Sequence, residues 1–423
     1  MTVRSKLRNI RPWIVWILRI LVGTTFVVSG LSKSIDIWGF AYKIEEYFLV
    51  WGMSVPHTLY VIAALLLATS EFVLGAMLTL GCYRRTAAWL LLLMMLGMLP
   101  LSAYIYVVSP VADCGCFGDF IHISNGATFV KNIFLTLALI YLSIVNRRVS
   151  GLYNPYWQWL AATACFVYCV AVGLWGYNVQ PLVDFRSFPI GTSLISDQDG
   201  SDDDIEIGFV YEKDGEQKMF STDSLPDSTW TYVDRRILSG EIDNKATFSI
   251  TEDGEDVTEE VIATEGQQLI ITVPDHHRAG ISFTYTVNEL SQKMDSIGGS
   301  LIEVVTMDSE EIERWKDLSN ATYPIYKGES TIVKELVRGV MGAVYLSDGK
   351  IVWKRTLSSV DLEEVDRSLA RSGTLDSLTD DGHERLLGWT ALLVAILAVI
   401  LMGDKCFMML KRLKKNSETK KNE

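Results

Sequence analysis

Six long apolar runs decide what kind of chain this is. They are Trp13 to Leu31, Leu59 to Leu80, Ala87 to Val108, Phe129 to Val145, Trp157 to Val179, and Leu386 to Met402. Crossing a hydrocarbon core of about 30 Å takes roughly 17–25 such residues in a helix, so each run is expected to span a membrane. The first continues through Val28-Ser29-Gly30-Leu31-Ser32-Lys33 with no small-x-small cleavage signature, and more spans follow. It is expected to stay as a helix rather than leave as a signal peptide.

Positive charge in short loops orients such a chain. Arg4, Lys6, Arg8 and Arg11 precede the first run, Arg84 and Arg85 follow the second, Arg147 and Arg148 the fourth, and Lys411, Arg412, Lys414 and Lys415 the sixth. All four clusters then lie on the cytoplasmic side, which places residues 181–385 outside. The net charge of −13 divides accordingly, at about −23 for Pro181 to Arg385 and about +10 elsewhere. No basic footprint for DNA or RNA exists, and nucleic acid is not expected as a partner.

The first four spans, within residues 1–150, have short connections and are expected to form an antiparallel four-helix transmembrane bundle. One outer loop, Ser34 to His57, interleaves Trp38, Phe40, Tyr42, Tyr47, Phe48 and Trp51 with Lys43, Glu45 and Glu46. It is expected to be an amphipathic helix in the headgroup region, serving as an aromatic anchor. The other outer loop is Asp113-Cys114-Gly115-Cys116-Phe117-Gly118-Asp119. A fifth span fills 151–182. Residues 183–245 are read as an acidic linker with a hairpin, Ile205 to Tyr211 and Gln217 to Thr222 around Lys213-Asp214-Gly215-Glu216.

Residues 246–372 alternate between strand and helix periods, which points to a small α/β domain. Strands are expected at Thr247 to Ile250, Leu269 to Val273 and Leu301 to Val305, and a hairpin at Gly342 to Leu346 and Ile351 to Thr356. Helices are expected near Thr284 to Ser296, Ser309 to Leu318, Thr331 to Val337 and Val360 to Ala370. A polar linker (373–385), the sixth span (386–410) and a basic cytoplasmic tail (411–423) complete the order.

Several of these residues carry a resemblance. Arg19-Ile20, the run Phe26 to Lys33, Glu71 with Gly75, and Cys114-Gly115-Cys116-Phe117-Gly118 followed by Phe129-Val130-Lys131-Asn132 resemble the DoxX and methylamine-utilisation MauE group of four-helix membrane proteins. Residues 246 to 370 resemble a thioredoxin-type domain, and the two halves together are similar to a DoxX-type family from Bacteroidetes. The resemblance implies redox work in the periplasm, at the inner membrane of a bacterium. MauE-like proteins are associated with maturing disulfide-containing partners, and some DoxX relatives with quinone-linked sulfur oxidation. The thioredoxin-like half is degenerate, because Pro274-Asp275-His276-His277-Arg278-Ala279-Gly280 stands where that family has Cys-x-x-Cys, and Met341 where it has a proline. No cysteine lies between Asn178 and Asp404, so thiol chemistry is excluded there.

The candidate catalytic residues are Cys114 and Cys116. They are outside in this topology, and the glycine between them permits a tight turn. A bridge across so short a loop closes a strained ring, which suits a redox-active pair. A static disulfide pinning the loop is the second reading, and a metal site from Cys114, Cys116 and His122 or His57 the third. Cys82 and Cys406 are cytoplasmic and incidental, Cys165 and Cys169 are read as helix-packing residues, and His276 and His277 are given no role. Arg19 and Glu71 are charges inside apolar spans, about 9 Å and 13 Å from the cytoplasmic ends of their helices. They are expected to meet, as a structural ion pair or as the polar floor of a quinone site or a proton route.

The leading expectation is therefore a membrane-anchored thiol-disulfide redox component, with a quinone as candidate cofactor. Its rivals are a non-enzymatic scaffold whose outer domain binds a periplasmic protein partner, and a metal-handling protein using the Cys-Gly-Cys loop. Nothing in the sequence sets the oligomeric state.

Overall fold

A computed structural model of the chain describes residues 12–108, 111, 115–121, 123–145, 150–195, 206–213, 216–221, 231–239, 247–275, 278–280 and 282–422. Six of its helices are long and apolar enough to cross a membrane. They are α1 (Pro12–Ile35), α3 (His57–Leu80), α4 (Arg84–Val108), α5 (Asn125–Val145), α6 (Gln158–Asn178) and α11 (Gly382–Asn422), and α2 (Ile37–Val50) lies in the loop between the first two. The sixth helix is much longer than its apolar run, since nothing in the basic segment that follows breaks a helix.

Helices α1 and α3 pack almost backbone to backbone. A Cβ on Gly30 would lie 2.4 Å from the Phe72 nitrogen, and one on Gly75 would lie 2.8 Å from the Gly23 oxygen. Small residues at such crossings let helices associate where lipid gives them no hydrophobic reason to do so. One end of the bundle is closed by Leu152, whose N–H donates to the Leu80 oxygen (3.0 Å).

The opposite end carries the folded domain. Its seven-stranded mixed sheet runs in the order β10-β9-β6-β7-β8-β4-β5. The strands are β4 (Ile250–Glu252), β5 (Glu255–Asp256), β6 (Gln267–Val273), β7 (Ser300–Val305), β8 (Ile325–Gly328), β9 (Gly342–Ser347) and β10 (Lys350–Thr356). Strand β6 is central, parallel to β7 (Leu269 opposite Leu301) and antiparallel to β9 (Ile270 opposite Val344). Its odd-numbered residues, Leu269, Ile271 and Val273, enter one core with Val287, Leu290, Trp315 and Trp353; Ile270 enters the other with Val304, Leu336 and Val344. A strand buried on both faces reads as a continuous apolar run, as this one does.

Helices α7 (Ser282–Ser296), α8 (Ser309–Ser319), α9 (Ser330–Leu336) and α10 (Leu362–Ser372) fall where the periodicity puts them. Asp308 and Glu311 form a capping box at the start of α8. Asp348 and Gly349 turn the β9–β10 hairpin with φ of 48° and 73°, the paired left-handed residues of a type I′ turn. A separate three-stranded sheet, order β2-β1-β3, consists of β1 (Glu206–Lys213), β2 (Glu216–Ser221) and β3 (Thr231–Ser239), so a third strand joins the expected hairpin.

Two segments read as polar linkers contribute to the core. Leu375 and Leu378 are buried, and Trp353 Nε1 donates to the Leu375 oxygen (2.9 Å). Leu194 is buried with Phe188 beneath the other sheet face. Isolated apolar residues in a polar run set up no period, so the sequence pattern cannot reveal such plugs.

Glu303, on β7, is fully buried and accepts from Trp315 Nε1 (3.1 Å). Burial pushes its carboxyl up to about 7, against the hydrogen bonds from Trp315 and Tyr323 that pull it down. Raised above its unfolded value, Glu303 favours the fold below about pH 4.5, and that stabilisation is lost as pH rises through about 7, on the order of 3 kcal/mol in all. Glu303→Gln should therefore flatten the decline in melting temperature of the sheet domain between pH 5 and 7.5. Parallel curves for the variant and the wild type would contradict this.

Candidate functional site

The close approach of α1 and α3 brings Ser29 level with Glu71. Lys33 Nζ lies 2.7 Å and 2.8 Å from the two Glu71 carboxylate oxygens, and the Ser29 hydroxyl is 2.7 Å from Oε2. Lys33 and Glu71 are both buried. Ser29 and Lys33 are one turn apart on α1 and thus face α3 together. This corrects the expected pair, because Arg19 does not reach Glu71.

Arg19 instead donates from Nε to the Leu78 oxygen (3.2 Å) and from Nη1 to the Ser150 oxygen (3.3 Å), with its guanidinium carbon 4.1 Å from the Trp16 ring centroid. Ser29 lies ten residues beyond Arg19, about 15 Å at 1.5 Å per residue. The long arginine side chain finds carbonyls in the last turn of α3 and in the loop before α6, while the shorter carboxylate takes the lysine nearest in height. A Cβ on Gly81, whose φ is +73°, would lie 1.6 Å from Arg19 Nη2, so this glycine makes room for the guanidinium.

The Cys-Gly-Cys loop rests on the same cluster. Ser29 Oγ is 2.6 Å from the Cys116 carbonyl oxygen as well as 2.7 Å from Glu71, so one hydroxyl hydrogen serves two acceptors. Gly115 adopts φ +61°, and a Cβ there would lie 2.8 Å from Lys43 Cγ on α2. Phe117 is buried, with Lys131 Nζ 4.4 Å from its ring centroid. Cys116 itself is half-buried. Cys114, Asp113 and His122 lie outside the described residues, as do His276, His277 and the Asp119 side chain.

Helix α2 forms as the aromatic pattern suggests and is capped by Asp36, which accepts from the Gly39 N–H (2.9 Å). Its Trp38 is sandwiched between Tyr177 (centroids 5.0 Å apart) and His57 (5.1 Å), and His57 Nδ1 is 3.3 Å from Glu45. His57 is thus engaged by Trp38 and Glu45. Among the described residues no three His, Cys, Asp or Glu side chains gather as metal ligands.

The folded domain meets α2 across a cleft of about 830 Å³. Tyr42, Lys43 and Glu45 line one wall, and Pro274, Arg278 and Lys334 the other. Arg278, in the loop after β6, is 3.4 Å from Glu45 and 2.9 Å from Asp275. At the base, Arg338 Nε and Nη2 hold Asp36 Oδ2 at 2.9 Å and 2.8 Å, both side chains being buried. Lys43 therefore touches both the cleft and Gly115.

Residues 11–145 match the family described as methylamine utilisation protein MauE. The four-helix unit is of the MauE type. With the two further apolar helices, the chain is a multi-pass membrane protein whose MauE-type unit is joined to a C-terminal mixed-sheet domain. Residues 205–238, the region of the three-stranded sheet, match a domain of unknown function (DUF8463). No curated protein and no solved structure matches the chain.

Sequence reasoning missed Ser29 and Lys33 as partners of Glu71, and Asp36 with Arg338 as the contact between the MauE-type unit and the sheet domain. The first carried a signal, since Lys33 is the charge one turn from Ser29 on the face that Gly30 opens to α3. The second joins residues about 300 positions apart and carried none.

Proposed function

We propose that this protein is a membrane-anchored, extracytoplasmic thiol-disulfide redox component acting through Cys114 and Cys116. The observation that carries the reading is the position of the loop: Cys116 is tied through Ser29 to the Lys33–Glu71 pair, while Gly115 lies under Lys43 at the edge of the cleft. A cysteine loop held by a buried polar cluster, with a cleft-lining residue packed on it, is suited to exchange with a second protein. In that exchange a client thiolate attacks one sulfur of the Cys114–Cys116 disulfide and releases the other as thiolate. The client's second thiolate then resolves the mixed disulfide, so two electrons pass to the pair and the client leaves oxidised.

The outer domain is read as thioredoxin-like. Support comes from the order β10-β9-β6-β7 with β6 and β7 parallel, helix α7 crossing between them, and α10 after the hairpin. The loop after β6, where thioredoxins carry their cysteines, lines the cleft instead, which fits client binding without thiol chemistry. The same cleft is the observation that favours the rival reading, a scaffold that binds a periplasmic partner and leaves the cysteines as a static brace. The four basic clusters support a topology with residues 181–385 outside the inner membrane.

Among the described residues, the space against Cys116 and Phe117 is too small for a quinone. The cavity there is about 10 Å³, and Lys33 and Ser29 already occupy both Glu71 oxygens. No step of this reading runs through one. The test is Cys116→Ser in intact membranes, which should accumulate mixed disulfides between Cys114 and extracytoplasmic proteins that collapse on reduction. If neither this variant nor Cys114→Ser traps a partner, the scaffold reading stands in its place.

A further inference from the structure

Where the fifth transmembrane helix hands over to the sheet domain, charge is buried out of balance. Asp184 accepts from Arg186 Nε (2.6 Å) and Nη2 (3.0 Å) and also from Lys354, whose ammonium donates to the Phe188 oxygen (2.6 Å) as well. Gln180 joins this group to the next, receiving Arg186 Nη2 at 3.3 Å and donating to the Arg338 oxygen at 2.7 Å. The next group is the Arg338–Asp36 pair. Among the described residues, Arg186 and Lys354 thus meet on Asp184, and Arg338 on Asp36. Neighbouring charges balance among themselves: Arg355 with Glu364 (3.1 Å) and Arg385 with Asp380 (2.6 Å).

Arg186 and Lys354 share the single carboxylate of Asp184, and they adjoin space. A cavity of about 80 Å³ lies here, lined by Arg186, Lys354, Asp184, Trp175 and Trp353. Arg186 and Lys354 have side chains only 2% and 3% exposed, and Arg186 Nη1 has no hydrogen-bond partner among the described residues. An unpaired guanidinium nitrogen buried beside a cavity is costly unless something accepts its hydrogens. The volume suits one small anion, or two to three waters at about 30 Å³ each.

We propose that this cavity is a binding site for a small monovalent anion, of chloride or acetate size, held by Arg186 and Lys354. Such an ion completes the charge balance and accepts the hydrogens of Arg186 Nη1. It also ties the segment after α6 to β10, and so the sheet domain to the membrane helices. Water alone would satisfy the hydrogen bonds but leave the charge. In that case Lys354, pushed down to about 7 by burial first and then by the Arg186 charge, against the pull of Asp184, would discharge near neutral pH.

The test uses the full chain in lipid nanodiscs at pH 6.5, melted in increasing sodium chloride, sodium acetate or sodium gluconate at constant ionic strength. The melting temperature should rise saturably with chloride or acetate and stay flat with gluconate, and whichever of the two acts at the lower concentration identifies the preferred ion. Lys354→Gln balances the buried charge and should make all three curves flat. Identical curves in all three salts for the wild type, or an unchanged chloride response in Lys354→Gln, would overturn the proposal. Should that variant fail to fold, crystals of the wild-type chain grown in bromide decide. An anomalous peak in the cavity within hydrogen-bond reach of Arg186 supports the site, and its absence overturns it.

Discussion

Glu71→Gln is expected to destabilise the membrane bundle by about 3–5 kcal/mol, the scale of loss when one partner of a buried ion pair is removed. Both side chains of the Lys33–Glu71 pair are over nine-tenths buried, so Lys33 would be left with neither its anion nor much water in its place. The loss should extend to the cysteine loop, because Ser29 bonds both Glu71 and the Cys116 carbonyl. Lys33→Met combined with Glu71→Leu should recover much of the stability, since an apolar pair of similar volume restores packing without charge. Thermal unfolding in detergent measures each. A double variant no more stable than Glu71→Gln alone would show that the two charges act separately.

Arg338→Ala should uncouple the sheet domain from the MauE-type unit. It leaves the buried Asp36 carboxylate without the two donors at 2.9 Å and 2.8 Å, again a loss of about 3–5 kcal/mol. Burial opposes ionisation of Asp36, yet Arg338, with Arg186 behind it, holds its carboxyl below the usual range. A depressed carboxyl contributes stability above its unfolded value and loses it as pH falls through the folded one, so in the wild type the contact should persist well into mild acid. Spin labels at the exposed Trp51 and Tyr285 should give a narrow distance distribution in the wild type and a broad one in Arg338→Ala. An equally narrow distribution in both would mean that the remaining cleft contacts suffice.

Much of this architecture was legible in the sequence, for reasons that also explain what was not. Apolar runs of membrane length announced the spans, and strand β6 was visible because a doubly buried strand is apolar at every position. The Asp348-Gly349 turn followed from left-handed backbone that few residues accept. The Arg19–Glu71 expectation failed because depth in the membrane was the sole guide; helix register, set here by Gly23, Gly30 and Gly75, fixes which charges meet. Leu375 and Leu378 escaped notice because two residues make no period. The cleft and the clamp at Asp36 depend on how two folded units dock, which no local pattern encodes. Cys114 and Cys116 were singled out by residue type and compartment alone, and what the structure adds is the polar cluster on which Cys116 rests.

The central claim is that this pair exchanges electrons rather than bracing a loop, and its midpoint potential tests that most directly. Purified full-length protein would be equilibrated in thiol-disulfide buffers of graded potential, alkylated, and scored for the state of Cys114 and Cys116. Structural disulfides of secreted proteins have potentials below about −300 mV, whereas exchanging ones are more easily reduced. The account predicts a midpoint above that limit, with the reduced pair appearing in glutathione buffers. A pair that stays fully oxidised until potentials below about −300 mV are reached would contradict it.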